Sequence, residues 1–393
     1  MASYDLGKNI NLHEVVNNPE YAKQKHIKVK RQDGLCILKY DKQQLRLDNI
    51  DTLGLFRSVI MDGDKIICFS PPKSSKCEEF MEKFSPIECS QEYFVEGTMI
   101  NCFYHNDKWK VATRWDVGAK GHFYADGNKS FSDMFQEALV GVNLQLNDLN
   151  KELCYSFVLQ HPENRIVVPF IVPYIILVAV YKCDDNHVHD KTSAMEQEVL
   201  KLGIPTPKKF NYMDWKTIKD IFASQTTDYK VLGLMFHHVS GLRGKIRNPV
   251  YEKVRRLKGN QSKIQYQYYC LYQKNQIQEF LKYYPEHKDK FWEFRSELVA
   301  WTTRILELYR NYNIYKTIAA DDIPFQFRTH IWELHQIYLL QLKNRGLSIT
   351  KKDVIHYIYN LNPARLMYSI NYPLRHAAIE EQIGIHYPKT AEL

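Results

Sequence analysis

The densest run of reactive side chains is Cys183-Asp184-Asp185-Asn186-His187-Val188-His189-Asp190. Thiol, imidazole and carboxylate are the groups that hold transition metals. No partner cluster elsewhere completes such a site, and the same residues suit a polar loop between a strand and a helix, which is the reading adopted. The cysteines (Cys36, Cys68, Cys77, Cys89, Cys102, Cys154, Cys183, Cys270) contain no C-x-x-C pair. Neither a zinc ribbon nor a disulfide framework is expected. Most lie in apolar strand patterns as small core residues, which fits a reducing, cytoplasmic compartment. Lys30-Arg31-Gln32-Asp33-Gly34 reads as a surface turn ahead of Leu35. No G-x-x-x-x-G-K-[ST] or G-x-G-x-x-G phosphate loop and no G-x-S-x-G elbow occurs. Charge and flat rings are unevenly spread. Residues 245–393 hold 23 Lys and Arg against 14 Asp and Glu, with 16 of the 27 tyrosines, whereas residues 1–244 hold 30 against 31. Single-stranded nucleic acid needs cations for its phosphates and aromatic faces for its bases. A solubilised helical surface over a tyrosine-rich core has the same composition, and both readings stand.

These residues must be positioned by two kinds of structure. The 393 residues, 45% hydrophobic and 25% charged, suffice for two or three soluble domains. Ser58 to Phe69 reads as a hairpin closed at Asp62-Gly63-Asp64, and Thr98 to Thr113 as a second around His105-Asn106-Asp107. Tyr155–Gln160 and Tyr174–Tyr181 read as buried strands, and residues 131–149 and 193–202 as helices. The longest apolar stretch, Ile166 to Tyr181, is interrupted by Pro169 and Pro173, so buried strands are expected rather than a bilayer span. The N-terminus carries no basic-then-apolar leader, so no secretory signal is expected. After about residue 250 the period becomes helical, over 268–284, 290–312, 325–342 and 351–361. Thr350 and Asp353 form an N-cap signature, and Gly346 suits a helix stop. The expected division is 1–250 and a basic, Tyr-rich helical 251–393.

The remaining signals come in one order. Leu55-Phe56-Arg57-Ser58-Val59-Ile60 is first, then Phe69-Ser70-Pro71-Pro72-Lys73-Ser74, then Tyr93-Phe94-Val95-Glu96-Gly97-Thr98. Trp109-Lys110-Val111-Ala112-Thr113-Arg114 follows, then Phe157 to Gln160 with Pro162-Glu163-Asn164-Arg165-Ile166-Val167-Val168-Pro169. Leu232-Gly233 and Gly244-Lys245-Ile246-Arg247-Asn248-Pro249-Val250-Tyr251 close the series. This series, over about residues 30–255, resembles the phage-type RNA ligases of the covalent nucleotidyltransferase superfamily, and most of all the degenerate relatives carried by giant DNA viruses. The family pattern reads R-G, P-F-x-K, K-x-D-G-S, W-x-V-x-T-R, F-E-x-V-x-P-x-N-R-I-V, E-G and K-x-K-x-x-x-Y. The resemblance implies an α+β nucleotidyltransferase (RNA ligase-like) domain with antiparallel sheets, followed by an all-α C-terminal domain that helps select RNA.

Carried over position by position, it implies a nucleotide site at Arg57, Lys73, Glu96, Arg114, Arg165, Lys245 and Arg247, with Lys73 and Lys245 on phosphates. Three positions depart. Phe94 stands where the family's nucleophilic lysine is, Val158 where the glutamate of F-E-x-V is, and Leu232 where that of E-G is. Lysine adenylylation needs an uncharged amine and a divalent metal, and the metal needs carboxylate oxygens. No catalytic residue, metal or cofactor is therefore expected. Phe94 would offer a flat face to a base or sugar, Trp115 is a candidate exposed stacking face, and Glu96 would accept from a guanine edge. The best-fitting ligand is the triphosphate-bridged cap of an mRNA 5′ end, in the host cytoplasm and in viral translation initiation. The C-terminal helices would follow the RNA or hold a protein partner, and no membrane is involved. Two alternatives remain: an active ligase using ATP and Mg2+ through a displaced lysine, and an interaction protein with a vestigial pocket.

Overall fold

A computed structural model describes residues 2–8, 10–46, 48–122, 129–261 and 263–383. The chain divides into two compact units, Met1–Arg256 and Leu257–Leu393. The expected division at 250 falls inside the helix Pro249–Lys258, and residues 384–393 of the expected helical domain lie outside the described residues.

The first unit is built on antiparallel strands: β1 (Ser3–Asp5), β2 (Ile27–Gln32), β3 (Leu35–Tyr40), β4 (Val59–Asp62), β5 (Lys65–Phe69), β6 (Cys89–Tyr93), β7 (Thr98–His105), β8 (Lys108–Ala112), β9 (Leu153–Gln160), β10 (Tyr174–Asp184), β11 (His187–Asp190), β12 (Lys209–Phe210), β13 (Gly233–His238) and β14 (Arg243–Arg247). They form three sheets, in the orders β1-β11-β10-β9-β7-β8, β12-β6-β13-β14 and β2-β3-β4-β5. Local turn chemistry sets the hairpins. Asp33 and Gly34 both take positive φ between β2 and β3, and Asn106 and Asp107 do so between β7 and β8, as tight hairpin turns require. Each sheet packs at least one apolar face, and the first is buried on both along β9, whose residues Leu153 to Leu159 are all interior. The first packs on the helix Phe131–Gly141 through Phe135, Phe157 and Ile175. The second packs on the helices Cys77–Lys83 and Trp215–Phe222 through Phe80, Ile218 and Phe236. The third carries the core of Ile37, Val59 and Phe69.

Several expectations are corrected. Cys183 to Asp190 is not a strand-to-helix loop but the hairpin of β10 and β11, turned by Asp185 at φ 51°. The helix expected over 131–149 ends at Gly141, and Asn143 at φ 53° takes the chain away. Strand structure in the apolar stretch begins only at Tyr174, because Pro169 and Pro173 leave 166–173 without ladder bonds.

The described part of the second unit contains no strand. Its helices are Ile264–Gln273, Ile277–Tyr283, Lys288–Tyr309, Phe325–Ile337, Lys351–Tyr359, Pro363–Ile370 and Tyr372–Ile383. The single helix expected over 268–284 is two, divided at Asn275, which takes φ 53°. Thr350 and Asp353 form the capping box, and Gly346 ends the preceding turn in the left-handed region. Tyr268, Tyr269, Tyr284 and Tyr309 are interior. Tyrosine abundance here therefore serves the core at these positions. No described helix is long and apolar enough to cross a membrane.

Candidate functional site

A cavity of about 960 Å³ opens within the first unit, lined from all three sheets. Strand alternation explains its charge. In β14, Arg243, Lys245 and Arg247 share one face and line the cavity. The intervening Ile246 joins the opposite core, and Gly244 leaves room for the Phe80 ring. Lys73 arrives on an extended segment held at both ends: its amide donates to the Gly54 carbonyl at 3.0 Å, and the Ser75 amide donates to the Arg243 carbonyl at 2.7 Å. Arg114 donates from Nε to the Arg57 carbonyl at 3.0 Å and lies 4.9 Å over the Tyr40 ring. Lys42, Arg46, Lys76 and Arg255 complete a lining with ten cationic side chains.

Two carboxylates face them, Glu92 and Glu96, and both are committed to the protein. Burial alone would raise the Glu92 carboxyl, but His237, 2.7 Å away, holds it below the ordinary range. Glu96 is 5% exposed and its Oε1 accepts from the amides of Val167 and Val168, both at 3.0 Å. The Tyr251 hydroxyl also bonds to Glu96, and burial together with that carboxylate pushes it far up. The guanine-edge role expected of Glu96 is thereby corrected: it clamps the 167–168 backbone. Gly97 beside it has φ 150°, and a Cβ there would strike the Leu159 carbonyl and the Val158 side chain, so this close approach of β7 to β9 requires glycine.

The cations therefore crowd one another. Burial first, then Lys73, Arg247 and Arg57, lower the Lys245 ammonium to about 7. Lys73 is lowered by burial and by Arg57. Nε of both Arg243 and Arg247 is buried without a partner among the described residues. Arg243 does donate to the Pro72 carbonyl at 3.0 Å, and Arg247 pairs with Glu252. Such a wall stabilises a polyanion held against it.

Phe94, Val158 and Leu232 all line this same cavity. The Phe94 amide donates to the Gly233 carbonyl at 3.0 Å, and the Arg247 guanidinium lies 5.5 Å from the centre of its ring. Arg57, Lys73, Phe94, Glu96, Arg114, Lys245 and Arg247 are thus brought together, whereas Arg165 and Trp115 do not line the cavity. Arg165 donates from Nε to the Val167 carbonyl at 3.1 Å and supports the segment that Glu96 clamps. Trp115 packs beside the third sheet's core with the Lys39 ammonium 3.6 Å over its ring. Arg243 was missed by sequence reasoning, although it stands two residues before Lys245 and four before Arg247, the spacing of one strand face. Tyr40 and the exposed Lys42 and Arg46 carried no comparable signal. Among the described residues, no group of three or more His, Cys, Asp and Glu side chains is arranged to hold a metal.

No family model matches the sequence. It is 26% identical over 223 residues to an RNA ligase of Rhodothermus phage RM378, covering 48% of this chain and 50% of that protein. It is 24% identical over 308 residues to the immediate-early protein ICP-46 homolog of Invertebrate iridescent virus 3, covering 74% of this chain and 65% of that one. The chain thus matches about half to two thirds of the length of these relatives. A Naegleria gruberi RNA ligase structure with pyrophosphate aligns at 12% identity and TM-score 0.35, over 48% of this chain and 59% of that one. At that score the alignment assigns no residue a role. The sequence relationship makes the chain RNA ligase-like, with an α+β nucleotidyltransferase-type domain of antiparallel sheets ahead of its helices.

Proposed function

We propose that this RNA ligase-like chain does not join RNA but holds an RNA by its polyphosphate-bearing 5′ end, with the triphosphate bridge of an mRNA cap as ligand. One observation carries the reading. Phe94, Val158 and Leu232 share a single cavity with Lys73, Lys245 and Arg247, and the two carboxylates present are already bonded to the protein. Nucleotidyl transfer at the position of the family's lysine needs an amine, and Phe94 has none. Metal binding at Val158 and Leu232 needs oxygens those side chains lack. Polyphosphate binding needs only the cations, and their mutual repulsion makes an incoming anion more favourable. The Phe94 ring adds an apolar face beside Arg247 for a base or sugar. A role in viral translation initiation, in the host cytoplasm, goes with this reading.

The test is titration with a cap analogue, ATP and GTP in the presence of a chelator. The expected result is metal-independent binding with the cap analogue tightest. Equal, millimolar binding of all three would sink the cap as ligand.

Lys245 favours a second reading, an active ligase with a displaced nucleophile. A cavity lysine lowered to about 7 is substantially uncharged near neutral pH. Attack of its Nζ on the α-phosphorus of ATP would form a P–N bond, expel pyrophosphate and release the amine proton to water. Incubation with α-labelled ATP and Mg2+, then denaturing electrophoresis, decides between the two. A labelled band lost in Lys245→Arg would replace the binding reading with this one.

A further inference from the structure

Trp115 lies outside the cavity, and its surroundings show what it can do there. Lys28 on β2 and Lys39 on β3 are direct cross-strand partners. Like charges so placed repel. Lys28 is compensated by Asp41 at 3.1 Å, and Lys30 by Asp116 at 3.1 Å. Among the described residues Lys39 makes no carboxylate ion pair; its ammonium rests 3.6 Å over the Trp115 ring. Burial, and then the charges of Arg114, Lys28 and Lys30, lower its affinity for a proton. Arg114 also lines the cavity, so one cation is shared between the cavity and the surroundings of Lys39.

We infer that the β2–β3 hairpin and Trp115 form a ledge for the single-stranded RNA that follows the nucleotide bound in the cavity. Lys39 and Arg114 would meet successive phosphates, and the Trp115 face, vacated as Lys39 turns to a phosphate, would stack a base. An aromatic ring beside clustered cations is what an unpaired strand requires, because its bases are free to stack and its backbone is uniformly anionic. The placement of the strand rests on the cavity reading proposed above; the ledge itself rests on Lys39, Trp115 and their neighbours.

The experiment compares two fluorescent ligands on the full chain: the cap analogue alone, which reaches only the cavity, and the same 5′ end extended by about ten nucleotides. The wild type should bind the extended ligand more tightly. Lys39→Glu and Trp115→Ala should each weaken the extended ligand by roughly tenfold, the size of one lost base stack, and leave the short one unchanged. Trp115→Phe should restore most of the loss, which separates stacking from packing. Lys39→Glu, at a strand surface, should also lower the slope of log affinity against log salt by about one. Equal binding of the extended RNA by wild type and Lys39→Glu would overturn the ledge, as would a loss of the same size with an acidic peptide. A short ligand that never binds, with extended RNA still lost in the variants, would overturn the cavity reading alone.

Discussion

The cavity of the first unit and the buried polar network of the second both contain strongly shifted groups, yet they are opposites. In the network, His330 is 2% exposed and both ring nitrogens are engaged, Nδ1 with the Tyr357 hydroxyl at 2.7 Å and Nε2 with the Ser369 hydroxyl at 2.9 Å. Tyr357 donates in turn to Glu333, which Arg365 meets at 2.8 Å. Burial, then Arg365, lowers His330 to about 4. In the cavity, burial and like charge lower Lys245 to about 7. The shifts alone do not separate the sites. The difference is satisfaction: the network closes on itself, whereas the cavity's cations face one another with few anions between them. A closed network holds a fold together, whereas the open set of cations is what the binding reading proposed above rests on.

That contrast can be broken most forcefully in the cavity. Combined charge reversal, Lys73→Glu with Lys245→Glu, should cost at least a hundredfold in cap-analogue affinity, since two charge-assisted contacts contribute roughly 1.5–3 kcal/mol each. Unchanged RNA binding in that variant would make the pocket vestigial. On the other side, His330→Ala should destabilise the protein by about 2–4 kcal/mol, because Tyr357 and Ser369 lose their buried partner. Denaturant unfolding measures this, and cap-analogue affinity in native buffer should not move.

The pH dependences should also run apart. His330 binds a proton less readily folded than unfolded, so its contribution is complete above about 6.5 and is lost as pH falls toward about 4. The loss is on the order of 3 kcal/mol. Lys245 acts in the other direction and on binding. An anion favours its charged form, so affinity should hold below about pH 7 and decline above it, by up to tenfold per unit. Calorimetry at several pH values should find proton uptake on binding; its absence would remove Lys245 from the phosphate contact. The smallest effect is the sharpest discriminator. Lys245→Met should raise the melting temperature measured without added ligand by about 1–2 °C, the shift that ~1 kcal/mol produces at this size. A lower melting temperature would mean that the ammonium is part of a satisfied structure after all.

Much of this was legible in the residues. The hairpins at Asp62 to Asp64 and Asn106 to Asp107 follow from turn types that few other residues adopt. Ordered motifs identified Lys73, Phe94, Lys245 and Arg247, because each carries its chemistry in its own side chain and its place along the chain. Period alone could not break the helix at Asn275, since residues on both sides keep helical spacing. Nor could it make a hairpin of Cys183 to Asp190, whose polar residues suit a loop equally well.

What the amino-acid sequence determined by itself was which groups this protein possesses and, through local propensity, most of the strands and helices that carry them. Only the tertiary structure decided what each group faces. It turned Glu96 onto the Val167 and Val168 amides, took Trp115 out of the cavity, added Arg243, and left Lys245 among cations. The physical reason is that a charge's energy depends on burial and on neighbours far away in the chain, and neither is written in the local order of residues.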